Sequence, residues 1–158
     1  AHASILDREK VPDEALAMVG TRRRLLVIGG GDVLRPAGRV WRLGVVLLHR
    51  DGRLFATGTV TRAAEPRQHG YTSVSAAERS AVRARAAAAF APGEVVNYDV
   101  DPISVDIDDL TVSGDVRWAD ENGTVRVCWS AGGSYIDFER YLVERIGLLV
   151  EAARRSRE

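Results

Sequence analysis

Residues 40–61 read VWRLGVVLLHRDGRLFATGTVT, and this stretch decides the fold. From Arg39 to His49 nearly every position is apolar: Val40, Trp41, Leu43, Val45, Val46, Leu47 and Leu48. Such a run predicts a strand covered on both faces, because a half-wet strand would alternate. Arg50-Asp51-Gly52-Arg53 then supplies Asp-Gly, suited to the two positive-φ positions of a type I′ turn. Leu54 to Thr61 returns as a second strand with β-branched and aromatic side chains. An antiparallel hairpin is therefore expected here.

Upstream, Leu25 to Ile28 is a short apolar run, read as a third strand, that ends in Gly29-Gly30-Gly31. Pro12, Asp13 and Glu14 predict a short helix closed by Gly20, with Leu16 and Val19 inward. Residues 1–10 read as a flexible or expression-derived N-terminus, with no signal-peptide pattern.

Downstream, residues 63–73 read as a loop. Ser75 and Glu78 form a capping-box pattern at the head of an alanine-rich helix that runs to Phe90. Val82, Ala86, Ala89 and Phe90 share one face, and Ala91-Pro92-Gly93 ends the helix. Short strands are expected at Val95 to Tyr98 and Ile103 to Ile107. Val112, Gly114, Val116 and Trp118 then alternate with polar neighbours, Asp120 to Gly123 turns, and Val125, Val127 and Trp129 alternate again. This pattern predicts a second hairpin. Ser134 and Asp137 offer a helix start, and Phe138, Leu142, Ile146 and Leu149, widened by Tyr141 and Leu148, form its apolar stripe. Gly147 within that helix suggests a close contact with a strand.

The expected fold is α+β: a largely antiparallel sheet of about seven strands, an inserted helix and a long C-terminal helix, in one domain over residues 1–158. This element order is similar to the pleckstrin-homology superfold with a helix inserted after the third strand. A curved sheet packed against two helices fits the same string.

The chain has 158 residues, 46% hydrophobic and 28% charged, which suits one domain. A chain of this size buries roughly two-thirds of its unfolded surface and folds without a disulfide or structural metal. Cys128 is the only cysteine, which excludes an internal disulfide and a cysteine-based zinc site. No apolar run approaches the ~18 residues of a membrane-spanning helix. A cytoplasmic setting is the default expectation. Arginine accounts for 21 of the 22 basic residues, a bias expected of a GC-rich bacterial genome.

The net charge of zero hides a division along the chain. Residues 1–93 carry 15 basic and 8 acidic side chains, whereas residues 94–121 carry Arg117 against nine acids. A neutral total argues against a general nucleic-acid binder. The segregation suggests self-association through complementary surfaces, although segments that neutralise each other within the fold explain it as simply.

Few candidate chemistries survive inspection. Gly29-Gly30-Gly31 lacks the further glycine of a dinucleotide fingerprint, since position 34 is Leu34, and no Gly-Lys-Ser/Thr motif exists. Arg35 and Arg39, flanking Pro36, are candidates to bind a small anion with the glycine amides. Asp99, Asp101, Asp106 and Asp108 are candidate hard-metal ligands, but EF-hand spacing is absent, and solvated turn or edge residues are the simpler reading. Ser134 does not sit in a Gly-x-Ser-x-Gly elbow. His2, His49 and His69 are scattered, and Cys128 has no activating neighbour in the sequence. Arg79, Arg83 and Arg85 could meet phosphate, but the helix has no interleaved aromatic residues for stacking, so a solvated face is simpler.

These features favour a non-enzymatic binding or assembly domain without a cofactor, engaging a protein partner or another copy. The alternatives are metal-assisted hydrolysis through residues 99–109 and anion binding through Arg35 and Arg39.

Overall fold

The computed structural model describes residues 2–21, 32–65, 73–104, 116–118, 124–130 and 133–158. In order, the elements are α1 (His2–Arg8), β1 (Glu14–Thr21), β2 (Asp32–Leu43), β3 (Val46–His49), β4 (Leu54–Ala56), β5 (Thr59–Arg62) and α2 (Val74–Ala87). They continue with β6 (Val95–Tyr98), β7 (Asp101–Ile103), β8 (Val116–Trp118), β9 (Val125–Cys128), β10 (Tyr135–Asp137) and α3 (Phe138–Arg155). The protein is α+β. A seven-stranded sheet has the order β5-β6-β1-β2-β3-β4-β7, and a three-stranded sheet has the order β10-β9-β8. The described pairings are antiparallel except β1 with β6. No helix among the described residues is long and apolar enough to cross a membrane.

The expected strand over 39–49 is two strands. Gly44 and Val45 turn the chain between β2 and β3, pairing Leu43 with Val46 and Val40 with His49. Gly44 has φ of 72°, matching the glycine-first pattern of a type II′ hairpin turn. A Cβ there would also collide with the Tyr141 hydroxyl. The turn is hidden in the sequence because all four β3 residues are buried, so no alternation marks its edges.

The Asp-Gly hairpin joins β3 to β4, but its turn is not type I′. The His49 amide donates to the Arg53 carbonyl at 2.9 Å, leaving a three-residue connection with positive φ at Gly52 and not at Asp51. That is the pattern of a type I turn followed by a left-handed residue. The Arg53 amide holds the Asp51 carboxyl down at about 2, with the His49 and Arg53 side chains acting in the same direction.

The returning strand is likewise divided. β4 pairs with β7, from Leu54 with Ile103 to Ala56 with Asp101, and β5 pairs with β6, from Thr59 with Tyr98 to Arg62 with Val95. Between them, Gly58 lies against the Asp99 carbonyl so closely that a Cβ would overlap backbone atoms. Gly58→Ala must displace main chain, and overpacking of this kind costs about 1–3 kcal/mol. A urea titration showing no loss of stability would refute that close approach.

Two N-terminal expectations need correction. Residues 2–8 form α1, and Leu6 is wholly buried, so this stretch is part of the fold. The helix expected from Pro12 to Gly20 is instead β1. Ala15 and Leu16 pair with Val96 and Asn97, and sheet neighbours on both sides outweigh a weak local helix preference. The expected strand at Leu25 to Ile28, the glycine triplet and the run 112–114 lie outside the described residues.

The chain falls into two compact units. One comprises Ala1–Asp13, Val40–Thr57 and Val100–Glu158; the other comprises Glu14–Arg39 and Gly58–Asp99. The core of the first gathers Leu6, Trp41, Leu43, Val127, Tyr141 and Leu142. Trp41 donates its indole N–H to the Val11 carbonyl at 3.0 Å, and Arg50 lies over the ring. Arg50 also bonds Asp13 at 2.7 Å. The Tyr141 hydroxyl donates to the Leu43 carbonyl at 2.8 Å and accepts from the Val45 amide at 3.1 Å, pinning α3 to the β2–β3 turn. Arg154 binds Glu9 at 2.8 Å, which ties α3 to the residues after α1.

The α3 stripe is narrower than expected. Phe138, Tyr141, Leu142 and Ile146 are buried, Leu149 is partly buried, and Leu148 is exposed. Trp129, beyond the end of β9, is also exposed. Nothing approaches within 4 Å of the place a Gly147 Cβ would take, so that glycine serves no close contact. Burial of Val116 and Trp118 lies outside the described side chains.

In the second unit, Ala15, Ala17, Leu34, Ala63, Ala86 and Val96 form a small core. The α2 N-cap is Ser73, not Ser75, and it makes no side-chain cap bond. The α3 N-cap is Asp137, whose carboxylate accepts from the Arg140 amide at 2.9 Å; Ser134 precedes β10. Asp137→Ala should therefore cost about 0.5–2 kcal/mol, whereas Ser75→Ala should stay within about 0.5 kcal/mol. Equal losses in paired thermal melts would refute this assignment of caps.

Candidate functional site

The sequence candidates do not assemble into one centre among the described residues. Arg35 and Arg39 both lie on β2, four residues apart, which sets them about 13 Å apart along a strand. Arg35 is exposed and its side chain runs beside Gly20. Arg39 pairs with the Glu94 carboxylate, which occupies the place an incoming anion would take. The glycines proposed to assist them are outside the described residues.

Asp99 follows β6 with φ of 52°, and Asp101 is exposed on β7, paired with Ala56. Asp106 and Asp108 lie outside the described residues. Among the described residues, no group of three or more His, Cys, Asp or Glu side chains could hold a metal ion. Cys128 is partly buried and donates to the Ser130 carbonyl at 3.4 Å. His49 is buried in β3 with Nδ1 2.7 Å from the Asp51 carboxylate, which fastens the hairpin turn. His69 lies outside the described residues.

A different constellation emerges in the second unit. A groove of about 560 Å³ runs between α2 and the β5–β6 pair. Helical spacing brings Ser75, Arg79 and Arg83 to one side of α2, each one turn after the last, with Val82 beside them. β5 supplies four consecutive residues, Thr59 to Arg62, and β6 supplies Val95 and Tyr98. Three arginines, Arg62, Arg79 and Arg83, thus line this groove with one acidic residue, Glu78. Arg62 donates to the Gly93 carbonyl at 2.8 Å, which anchors it at one end. Among the described residues, no ion pair engages Arg79 or Arg83.

The groove floor is mixed. Val60 is 51% exposed, and Tyr98 pairs across the strands with Thr59. Burial pushes the Tyr98 phenol above its ordinary value and the Asp99 carboxylate adds to this, against Arg85 and a hydrogen bond with Thr59. The phenol is therefore protonated at neutral pH and presents a hydrogen-bonding edge rather than a charge. The groove offers positive charge, hydroxyl groups and a narrow apolar strip.

Sequence reasoning found Arg79 and Arg83 but read them as a solvated row. It missed Arg62, Thr59 and Tyr98, whose approach to α2 depends on sheet pairing. The signal that was present is the i, i+4 spacing of Arg79 and Arg83, which sets two cations on one helix face. No protein-family model matches the chain, and no curated protein or solved structure matches it either.

Proposed function

We propose that this chain is a non-enzymatic binding module that engages a partner protein through an acidic segment held in the groove between α2 and β5. The observation that carries this reading is the charge of the groove: three arginines against one glutamate. Its volume of about 560 Å³ and mixed lining favour a peptide over a small anion, because a small ion would leave the threonine hydroxyls and Val60 unused. The arginine bias and the single cysteine fit the reducing cytoplasm of a GC-rich bacterium, the setting we assign to it.

A short alternating Glu-Val peptide is the test ligand, with a Lys-Val peptide as control. The acidic peptide should bind in calorimetry at low salt and weaken as salt rises, because screening shortens to ~3 Å at 1 M. The double variant R79E/R83E should weaken it by about tenfold or more, while the thermal melt stays unchanged. Equal binding of both peptides, or no effect of charge reversal, would refute the reading. Residues 94–121, with their excess of acid, make a second copy of this chain one such partner. Light scattering at low and high salt separates the cases: dimer mass lost with salt identifies self-association, and constant monomer mass assigns the groove to a different protein.

A further inference from the structure

β5 stands at one end of the strand order and, among the described residues, pairs only with β6. The Ala63 amide donates to the Glu94 carbonyl at 2.9 Å, which fixes the phase of that ladder. In an antiparallel pair, hydrogen-bonded and non-hydrogen-bonded positions alternate. Thr61 and Thr59 therefore turn their backbone groups to β6, and Val60 and Arg62 turn theirs away. All four residues line the groove with Val95 and Tyr98 of β6, and Arg79 and Arg83 of α2 line it too, so the outermost strand and these two arginines border one space.

An unpaired strand edge is a template for another strand. In strand addition, main-chain hydrogen bonds give affinity and pockets for alternate side chains give specificity. We infer that the partner segment binds as an added β-strand along β5, exchanging backbone hydrogen bonds with Val60 and Arg62 while its acidic side chains meet Arg79 and Arg83. This inference rests on the acidic-groove reading and specifies how the segment is held. Charge complementarity selects the occupant: an extended, acidic stretch of a partner protein. The backbone ladder explains why a partner would be read at every second residue, since side chains of a strand alternate between faces.

The test uses the full chain and the Glu-Val peptide in three forms: unmodified, N-methylated at every Glu, and N-methylated at every Val. A strand turns every second amide to one neighbour, so one methylated form loses its bonds to β5 and the other keeps them. One form should lose affinity by about tenfold or more, and the other should bind like the parent. On binding the parent, the Val60 and Arg62 amides should gain protection from hydrogen exchange, while Thr61, already bonded, should not change. If both methylated forms bind like the parent, the acidic groove stands and strand addition fails. Equal loss from both forms, or no new protection at Val60 and Arg62, also overturns it. If the parent does not bind, the groove reading fails and this inference falls with it.

Discussion

Trp41→Ala is expected to lower the unfolding free energy by about 3–5 kcal/mol, the range for removing a buried aromatic side chain. The indole is 1% exposed within the larger core, so a cavity must remain or neighbours must shift. The substitution also removes the donor to the Val11 carbonyl, made at 3.0 Å, and leaves that acceptor to find water. Arg50 loses the ring beneath it, a smaller exposed contribution. Urea denaturation followed by far-ultraviolet circular dichroism is the appropriate measurement, since tryptophan fluorescence changes with the mutation itself. A loss below about 1 kcal/mol would contradict the burial described for Trp41.

Leu142→Ala should cost about 2–5 kcal/mol for the same reason. Leu142 is 7% exposed and packs within the core that includes Phe138, Tyr141 and Ile146. The control is Leu148→Ala on the outer side of α3, where the side chain is exposed and the change should stay within about 0.5 kcal/mol. Comparable losses at the two positions would mean that α3 presents a different face to the core.

What the sequence makes legible follows a physical boundary. The α3 stripe was legible because a helix buried on one side imposes its 3.6-residue period on the sequence. The Asp-Gly hairpin was legible because positive φ needs a narrow choice of residues. The Gly44 turn was not, because strands buried on both faces erase the alternation that would mark their ends. β1 was mistaken for a helix because Pro12, Asp13 and Glu14 imitate a helix start, while the partner that makes it a strand lies at Val95–Tyr98. The groove divides along the same line. Arg79 and Arg83 share one helix and could be seen as a row, whereas Arg62 and Tyr98 join them only through pairing distant in sequence.

The parallel pairing of β1 with β6 has a consequence for synthesis. Ala15 must wait for Val96, so β1 leaves the ribosome long before that neighbour exists. The compact units are interleaved along the chain, and the one containing α1 is completed only by α3. Neither unit can be excised as one continuous fragment, and a nascent chain stopped after β5 holds neither whole. Distant contacts of this kind slow folding, since loop closure precedes the stabilisation it permits. The edge of β1 that β6 covers stays without that neighbour until Val95–Tyr98 has been made, and unpaired edges of this kind favour aggregation.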